Sequence, residues 1–533
     1  MGKFNGIVQF HDGLAVSDYL NMVPLGDSCV DRIGDAEVIP PTETSRFEVR
    51  GTFTDSMHNV YVVYGPTVYR YSYDENSGSM SGPEAMKMLI DGEVRQFQTE
   101  VPTGPVTFCE SSIKPSSVFL CDGQNIYAWA TYDGLTRPQY YKFMVNVICP
   151  PNVSPVEDSG NGKLVLWSGD TKQPDFNSLM FGKDRYTENG KAIRNQFAKV
   201  RVDMVDWFDN RLVAAQLSQN TVWLTRTDPT YYWRDQTVAY LDATDASTGG
   251  YELWPNWYSS SANADRLRAI KAFMGQLYFF NEHSIEQWGR TGNEDAPIQS
   301  ATVQTLQFGG SKPVIIDGVM FFIGNDSVKD RFVGAFSPQF SKVSNREIEK
   351  HLDGSEHMDC ISMWSETFLF VRHSDGSGLL YGGGRWWRWD TPDSAKYSIV
   401  TSLAGSFAVT DRCSIAKFDP GSRTSGGRPI QRSIREGFTM LPKRSIIRKI
   451  ELVADTGRTD GRPHDDREMT VYCAVSVNRG LSFSQRRYRT MGRDGRNDKT
   501  IEWRNLGSCN SVLVEIGTSS PHKLQVYDIL INV

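Results

Sequence analysis

No run of about eighteen apolar residues occurs in this 533-residue chain, so no membrane-spanning helix is expected. The opening MGKFNGIVQFHDGLAV lacks the continuous apolar stretch of a secretory signal. It also lacks a Ser or Thr at position six, as N-myristoylation would require. Only 8 cysteines are present, widely spaced and without a CxxC pair, so reduced thiols are expected rather than a disulfide framework. The commonest catalytic signatures are missing too. There is no GxxxxGK followed by Ser or Thr, no GxSxG, no GxGxxG and no HExxH. Helical pattern is scarce, and a parallel α/β fold would need the long helical crossovers that this chain does not offer.

The chain is instead rich in what strands and tight turns use: 12% aromatic residues, 46 Gly and 24 Pro. One unit recurs, an apolar run of about four residues, a short polar turn and a second run that often holds an aromatic. Its copies begin at Asn59, Ser117, Arg211, Gln276, Gly318, Thr367 and Ser406, with steps of roughly 40 to 95 residues. Repeated hairpins at loose intervals predict a β-propeller with loop insertions, because each blade is a small antiparallel sheet packed on its neighbours. Short helices are predicted at SNREIEKHLDG, with Ser344 as N-cap and Glu347 completing a capping box, and at GPEAMKMLIDG from Gly82.

Net charge is −6, unevenly placed. From residue 421 onward 20 Lys and Arg face 12 Asp and Glu, whereas the preceding residues carry 37 against 51. The sign changes at DPGSRTSGGRP (419–429), which reads as a linker. The strand-like segments beyond it predict a β-sandwich. The expected organisation is therefore an extended N-terminal arm (1–45), a propeller-like body (46–420) and a C-terminal sandwich (421–533). The fold class is mainly β with few short helices.

Five segments stand out for their side chains. In QLYFFNEHSIEQWGRTGNED, from Gln276, the residues Glu282, His283, Glu286 and Asp295 crowd one corner. The corresponding turns of the other copies carry Gly, Pro, Ser or Asp, so this corner reads as wall rather than active site. HLDGSEHMDC brings His351, His357 and Cys360 within ten residues, at a spacing that matches no common zinc module. SVNRGLSF (476–483) has the form of an Asp-box, a hairpin-corner turn of sialidase-type propellers, and reads here as a turn. RRYRTMGRDGR supplies Arg486, Arg487, Arg489, Arg493 and Arg496, able to pair with phosphates or an acidic partner, or else a solvated strand face. In YGGGRWWRWD, Trp386, Trp387 and Trp389 are expected mostly in the core, with an exposed one, Trp387, as a subunit-contact anchor. No catalytic residue, cofactor or metal is assigned.

Several segments resemble the packaged-DNA stabilisation proteins of short-tailed bacteriophages, the tail hub or nozzle. They are DYLNMVP, GTFTDSMHNVYVVYGPTVYRY, DNRLVAAQLSQNTVWLTRTDP, LYFFNEHSIEQWGRTG, FSPQFSKVSNREIEKHL and the terminal IEWRNLG, VLVEIG and KLQVYDILINV. They occur in the family's order across most of the chain. Two stretches depart from it, near 75–110 and 225–265. The resemblance implies a non-enzymatic virion protein of the tail, made in the host bacterial cytoplasm. It further implies a homohexameric ring around the channel for genomic DNA, the portal-adaptor ring above, and fibres, spikes or a plug below. The ring would retain packaged DNA and deliver it at ejection. A glycan-binding or glycan-cleaving propeller at the host surface is the alternative.

Overall fold

The computed structural model describes residues 8–9, 16–25, 28–39, 48–74, 76–77, 79–90, 93–113, 116–130, 145–147, 163–165, 202–225, 227, 240–242, 256–260, 265–294, 296–326, 330–337, 339–364, 366–391, 397–402, 405–410, 414–419, 421–425, 427–437, 443–457, 469–478, 480–492 and 499–532. Among them strands predominate, and each of the seven repeated hairpins forms the middle of a blade.

Blade 1 is Val49–Thr54, Val60–Tyr64, Thr67–Asp74 and Ser79–Ala85. Blade 2 is Thr107–Glu110, Ser117–Cys121, Ile126–Ala130 and Val145–Val147. Blade 3 is Met204–Phe208, Arg211–Gln216, Thr221–Leu224 and Asn256–Ser259. Blade 4 is Leu267–Phe273, Gln276–Asn281, Ile285–Arg290 and Ile298–Gln304.

In blade 5 the inner strand is broken into Gln307–Phe308 and Val314–Ile316, both paired to Val319–Asn325, with Arg331–Phe336 and Phe340–Lys342 outside. Blade 6 is His357–Met363, Glu366–Arg372, Gly378–Gly382 and Arg385–Trp389. Blade 7 takes Tyr397–Ser402, Gly405–Thr410 and Ile415–Asp419 from its own repeat, and its outer strand, Gly34–Ile39, from near the N-terminus.

The middle strands are largely apolar because both faces are covered: VYVVY in blade 1 and SVFLC in blade 2 are buried throughout. Inner strands carry the contacts between blades. Val106 N donates to Arg50 O, Val205 N to Thr107 Oγ1, Ala272 N to Asp206 Oδ2, and Thr401 Oγ1 to Cys360 O. Phe280–Phe308 and Phe321–Tyr381 ring contacts tie blade 5 to blades 4 and 6. Thr52 Oγ1 and Thr54 Oγ1 donate to Ile399 O and Thr401 O, closing blade 7 onto blade 1. The result is a closed ring of blades, each packed on the next.

Residues expected as an N-terminal arm contribute strands to the C-terminal region as well. One sandwich sheet runs Val16–Leu20, Arg432–Gly437, Leu513–Thr518, Thr470–Ser476, Arg487–Thr490. The facing sheet runs Met22–Leu25, Ser28–Asp31, Gln525–Asn532, Lys449–Ala454, Ile501–Arg504. Leu20 also pairs in parallel with Arg388, so the first sheet continues onto the outer strand of blade 6. A shared core, including Tyr19, Phe370, Trp387, Ile434, Val514 and Trp503, fills this junction.

Buried charge locks the junction. Asp31 pairs with Arg432, and with Arg423 at 2.9 Å, all three almost wholly enclosed. Arg388 donates twice to Asp18, at 2.7 and 2.5 Å, and the Arg32 guanidinium lies 3.8 Å over Trp389.

Two helical expectations are corrected. GPEAMKMLI (82–90) is extended: Ser79–Ala85 is the edge of blade 1, and Lys87–Ile90 pairs with Glu93–Gln96, while residues 91–92 lie outside the described residues. Pairing overrides the helical propensity of these residues, and an edge strand tolerates Pro83, which has no N–H to give. The second helix is one turn, Arg346–Glu349, and its cap is Asn345, whose side chain accepts from Glu347 N and Ile348 N. Ser344 is instead committed to Val333 N and Glu349.

Candidate functional site

Arg487–Thr490 is the last strand of its sheet, paired on one side with Thr470–Ser476 in the register Val471↔Arg489 and Cys473↔Arg487. Alternation sends Arg487 and Arg489 to the same face, and both are exposed. Their guanidinium groups reach across the open edge of the sandwich. Arg487 Nη1 donates to Arg504 O and Asn505 O, each at 3.0 Å, and Arg489 Nε donates to Glu502 O at 3.2 Å. The indole of Trp503 returns a bond to Arg487 O at 2.8 Å. The pair thus clasps the two sheets while keeping further N–H groups toward solvent.

Arg486 lies on the opposite side of the strand, 4.3 Å over the Tyr472 ring and 3.4 Å from Glu515. Glu515 also accepts from Arg435 at 2.6 Å and from the Tyr472 hydroxyl at 3.1 Å. Burial, then the Glu515 charge, push the Tyr472 pKa upward, so the phenol stays a donor. Arg493 and Arg496 lie outside the described residues.

Trp387 does not serve as a contact anchor. It is 1% exposed and meets Phe368 edge-to-face at 5.3 Å. The reason is that its strand is covered on both faces. Trp387 and Trp389 belong to the core shared with the sandwich, and Trp386 to that of the propeller.

The acidic corner of blade 4 is a polar turn support. Glu286, 1% exposed, accepts from Ser260 Oγ at 2.7 Å, Trp288 Nε1 at 3.0 Å and Asn281 Nδ2 at 3.2 Å. Asp265 accepts from His283 N and Ser284 Oγ, and Glu282 pairs with Arg268 at 3.0 Å. Blade 2 has the same construction: Asp122 N bonds Asn125 O as Asn281 N bonds Ser284 O, and Tyr127 OH reaches Asp122 as Glu286 reaches Asn281. Asp295 lies outside the described residues.

Among the described residues, the cluster able to hold a metal is Asp353, Glu356 and His373, rather than His351, His357 and Cys360. Its carboxylates are already engaged, Glu356 by Arg331 at 2.7 Å and Asp353 by Ser355. The described cysteines are free thiols, and burial pushes Cys360 up to about 11 and Cys473 up to about 12. The Asp-box segment is a closed turn: Ser476 Oγ bonds Asn478 and receives Gly480 N, and Asn478 Oδ1 receives Ser482 N.

Residues 254–375 match the family model described as Phage_stabilise: Bacteriophage P22 Gp10, beta-propeller. The resemblance to phage packaged-DNA stabilisation proteins is borne out there. The match runs from the outer strand of blade 3 through blades 4 and 5 into blade 6, and it includes the blade 4 corner. It supports a structural, virion-borne protein concerned with DNA stabilisation, and a structural family speaks against catalysis.

No curated protein matches the sequence. Among solved structures, virginiamycin B lyase from Staphylococcus aureus aligns over 72% of this chain and 98% of its own, at 10% identity and a TM-score of 0.37. An exo-β-1,3-galactanase from Phanerochaete chrysosporium aligns over 94% and 100%, at 8% identity and 0.24. At such scores neither activity transfers to this chain.

Proposed function

We propose that this chain is a subunit of a phage tail nozzle, a ring that extends and closes the DNA channel below the portal-adaptor. The ring retains the packaged genome and releases it at ejection. The observation that carries this reading is the family match within the propeller. Two physical features support it. The body is acidic, which repels DNA phosphates, and the sandwich is basic and presents Arg487 and Arg489 on an exposed edge strand. Opposite charge on two parts of one chain favours head-to-tail contact between copies, the arrangement that closes rings. In this reading the Arg486, Arg487 and Arg489 strand, with Arg493 and Arg496 beyond it, meets an acidic neighbour or the DNA end. Fibres, spikes or a plug attach distally.

Native mass spectrometry of the purified chain, alone and with its adaptor, tests the reading. A closed oligomer of about six copies supports it. A monomer that stays monomeric with the adaptor and turns over a host polysaccharide would favour the glycan-acting propeller instead.

A further inference from the structure

Where blade 5 gives way to blade 6, two loops bring a histidine and two carboxylates together. The first loop follows the one-turn helix Arg346–Glu349 and carries Asp353 and Glu356 just ahead of the inner strand His357–Met363. Gly354, at φ 100°, turns the chain between the two acids. The second loop joins Glu366–Arg372 to Gly378–Gly382 and opens with His373. Because His357 pairs with Arg372, the register of blade 6 places Glu356 beside His373. Backbone bonds fix the turn: His373 N donates to Ser377 O at 2.8 Å, Gly376 N to His373 O at 3.1 Å, and Ser374 N to Ser355 Oγ at 3.2 Å. One ligating atom from each of Asp353, Glu356 and His373 lies within 4.8 Å of the other two.

The bonds these carboxylates already make orient them without exhausting them. Glu356 Oε1 accepts from Gly354 N at 2.9 Å and Oε2 from Arg331 at 2.7 Å, and each oxygen keeps a second lone pair. Asp353 uses Oδ1 for Ser355 N and Ser355 Oγ, while its Oδ2 has no hydrogen bond among the described residues. Asp375, in the same turn as His373, adds a third carboxylate against the Arg331 guanidinium. The deciding group is the His373 imidazole. Its side chain is only 10% exposed, and its Nδ1 stands 3.9 Å from Asp353 Oδ1, beyond hydrogen-bond reach. Among the described residues neither ring nitrogen has a hydrogen bond. Buried polar groups are normally satisfied, and what satisfies a neutral imidazole between two carboxylates is a metal ion.

We propose that Asp353, Glu356 and His373 bind one divalent ion of the zinc type, which clips the loop between blades 5 and 6 to the central hairpin of blade 6. A mixed nitrogen and oxygen donor set suits zinc, whereas calcium and magnesium take oxygen ligands. Bonds of about 2.1 Å draw the ligand atoms closer than they now stand, and Asp353, whose side chain is 64% exposed, is free to close. Three protein ligands leave a fourth position for water. The site is built within one chain and does not rest on the nozzle reading.

Calorimetric titration of the full chain, freed of metal with EDTA, with zinc chloride tests it. One saturable ion per chain is expected, with affinity weakened about tenfold or more in Asp353→Asn and in His373→Gln, and unchanged in H357A/C360S. Zinc should raise the melting temperature of the wild type and of H357A/C360S, but not that of His373→Gln. Glu356 is left in place because its loss would strand Arg331, and circular dichroism establishes that the variants are folded. Absence of saturable binding by the folded wild type overturns the proposal. So does equal binding by the wild type and both site variants, or loss in H357A/C360S alone.

Discussion

Arg50 in the propeller and Arg487 in the sandwich carry the same group to opposite ends. The Arg50 guanidinium is buried and donates to Gly104 O, Gly65 O, Val101 O, Asp122 O and Thr99 Oγ1 at 2.6–3.2 Å. It staples blade 1 to blade 2 by satisfying loop carbonyls. Arg487 and Arg489 also donate to carbonyls, but from outside, across an edge that solvent reaches. Exposed large apolar residues divide in the same way. Among the described residues, the propeller shows Met274, Val303 and Ile315, whereas the shorter sandwich shows Ile446, Val453, Val477, Leu481, Tyr488, Tyr527 and Leu530. Arg50 directs its polar chemistry inward to hold blades together, and the sandwich shows the larger share of the described exposed apolar side chains. A residue count would not separate the two, because the difference lies in where the acceptors are.

The largest effect is expected where the two regions join. Asp31→Ala leaves Arg423 and Arg432 enclosed without their carboxylate and should cost about 3–5 kcal/mol in denaturant unfolding. A loss below about 1 kcal/mol would mean that the junction holds by apolar packing alone.

Next comes Arg50→Met, which strands several buried carbonyls and should cost about 2–4 kcal/mol. The matching change in the sandwich, R487E/R489E, should shift stability by only about 1 kcal/mol or less while abolishing or weakening oligomers in sedimentation. If the two variants lose equal stability and assembly is untouched, the inward–outward contrast fails.

The smallest effect is one of pH. The folded-state pKa of Lys312, about 8, lies below the usual 10.5, so the unfolded chain binds more protons between these values. Stability contributed by this site therefore rises with pH across that window. Lys312→Met should raise the melting temperature at pH 7, with the gain shrinking as pH approaches 10.5. A gain independent of pH would remove the titration argument.

The blades were legible because each middle strand is an uninterrupted apolar run ending in a polar turn, as in VYVVYG and YFFNEH. The corner at Glu286 was legible as wall for the same reason, since its sister turns share the construction. What the sequence hid is non-local. GDAEVI (34–39) has no strong strand pattern, and its pairing with Ile415–Asp419 is set by the open edge of blade 7. The Arg486–Arg489 alternation marked a strand, but its carbonyl acceptors lie at 502–505, which spacing cannot reveal. Trp387 escaped for a related reason. A strand at the side of a propeller should have a solvated face, and only the arrival of Val16–Leu20 and the sandwich removes it.

The path of residues 16–39 also fixes an order of events in synthesis. Met22–Leu25 and Ser28–Asp31 pair locally with each other, but Val16–Leu20, Ser28–Asp31 and Gly34–Ile39 also join strands made much later, at 385–389, 415–419 and 432–532. Val16–Leu20 and Gly34–Ile39 therefore wait for these long-range partners until most of the chain exists, and their docking completes both the last blade and the sandwich. Contacts of such long sequence separation form slowly and leave strand edges open meanwhile. A chain made this way cannot close its ring of blades before its C-terminal strands exist, so the propeller and the sandwich are completed together.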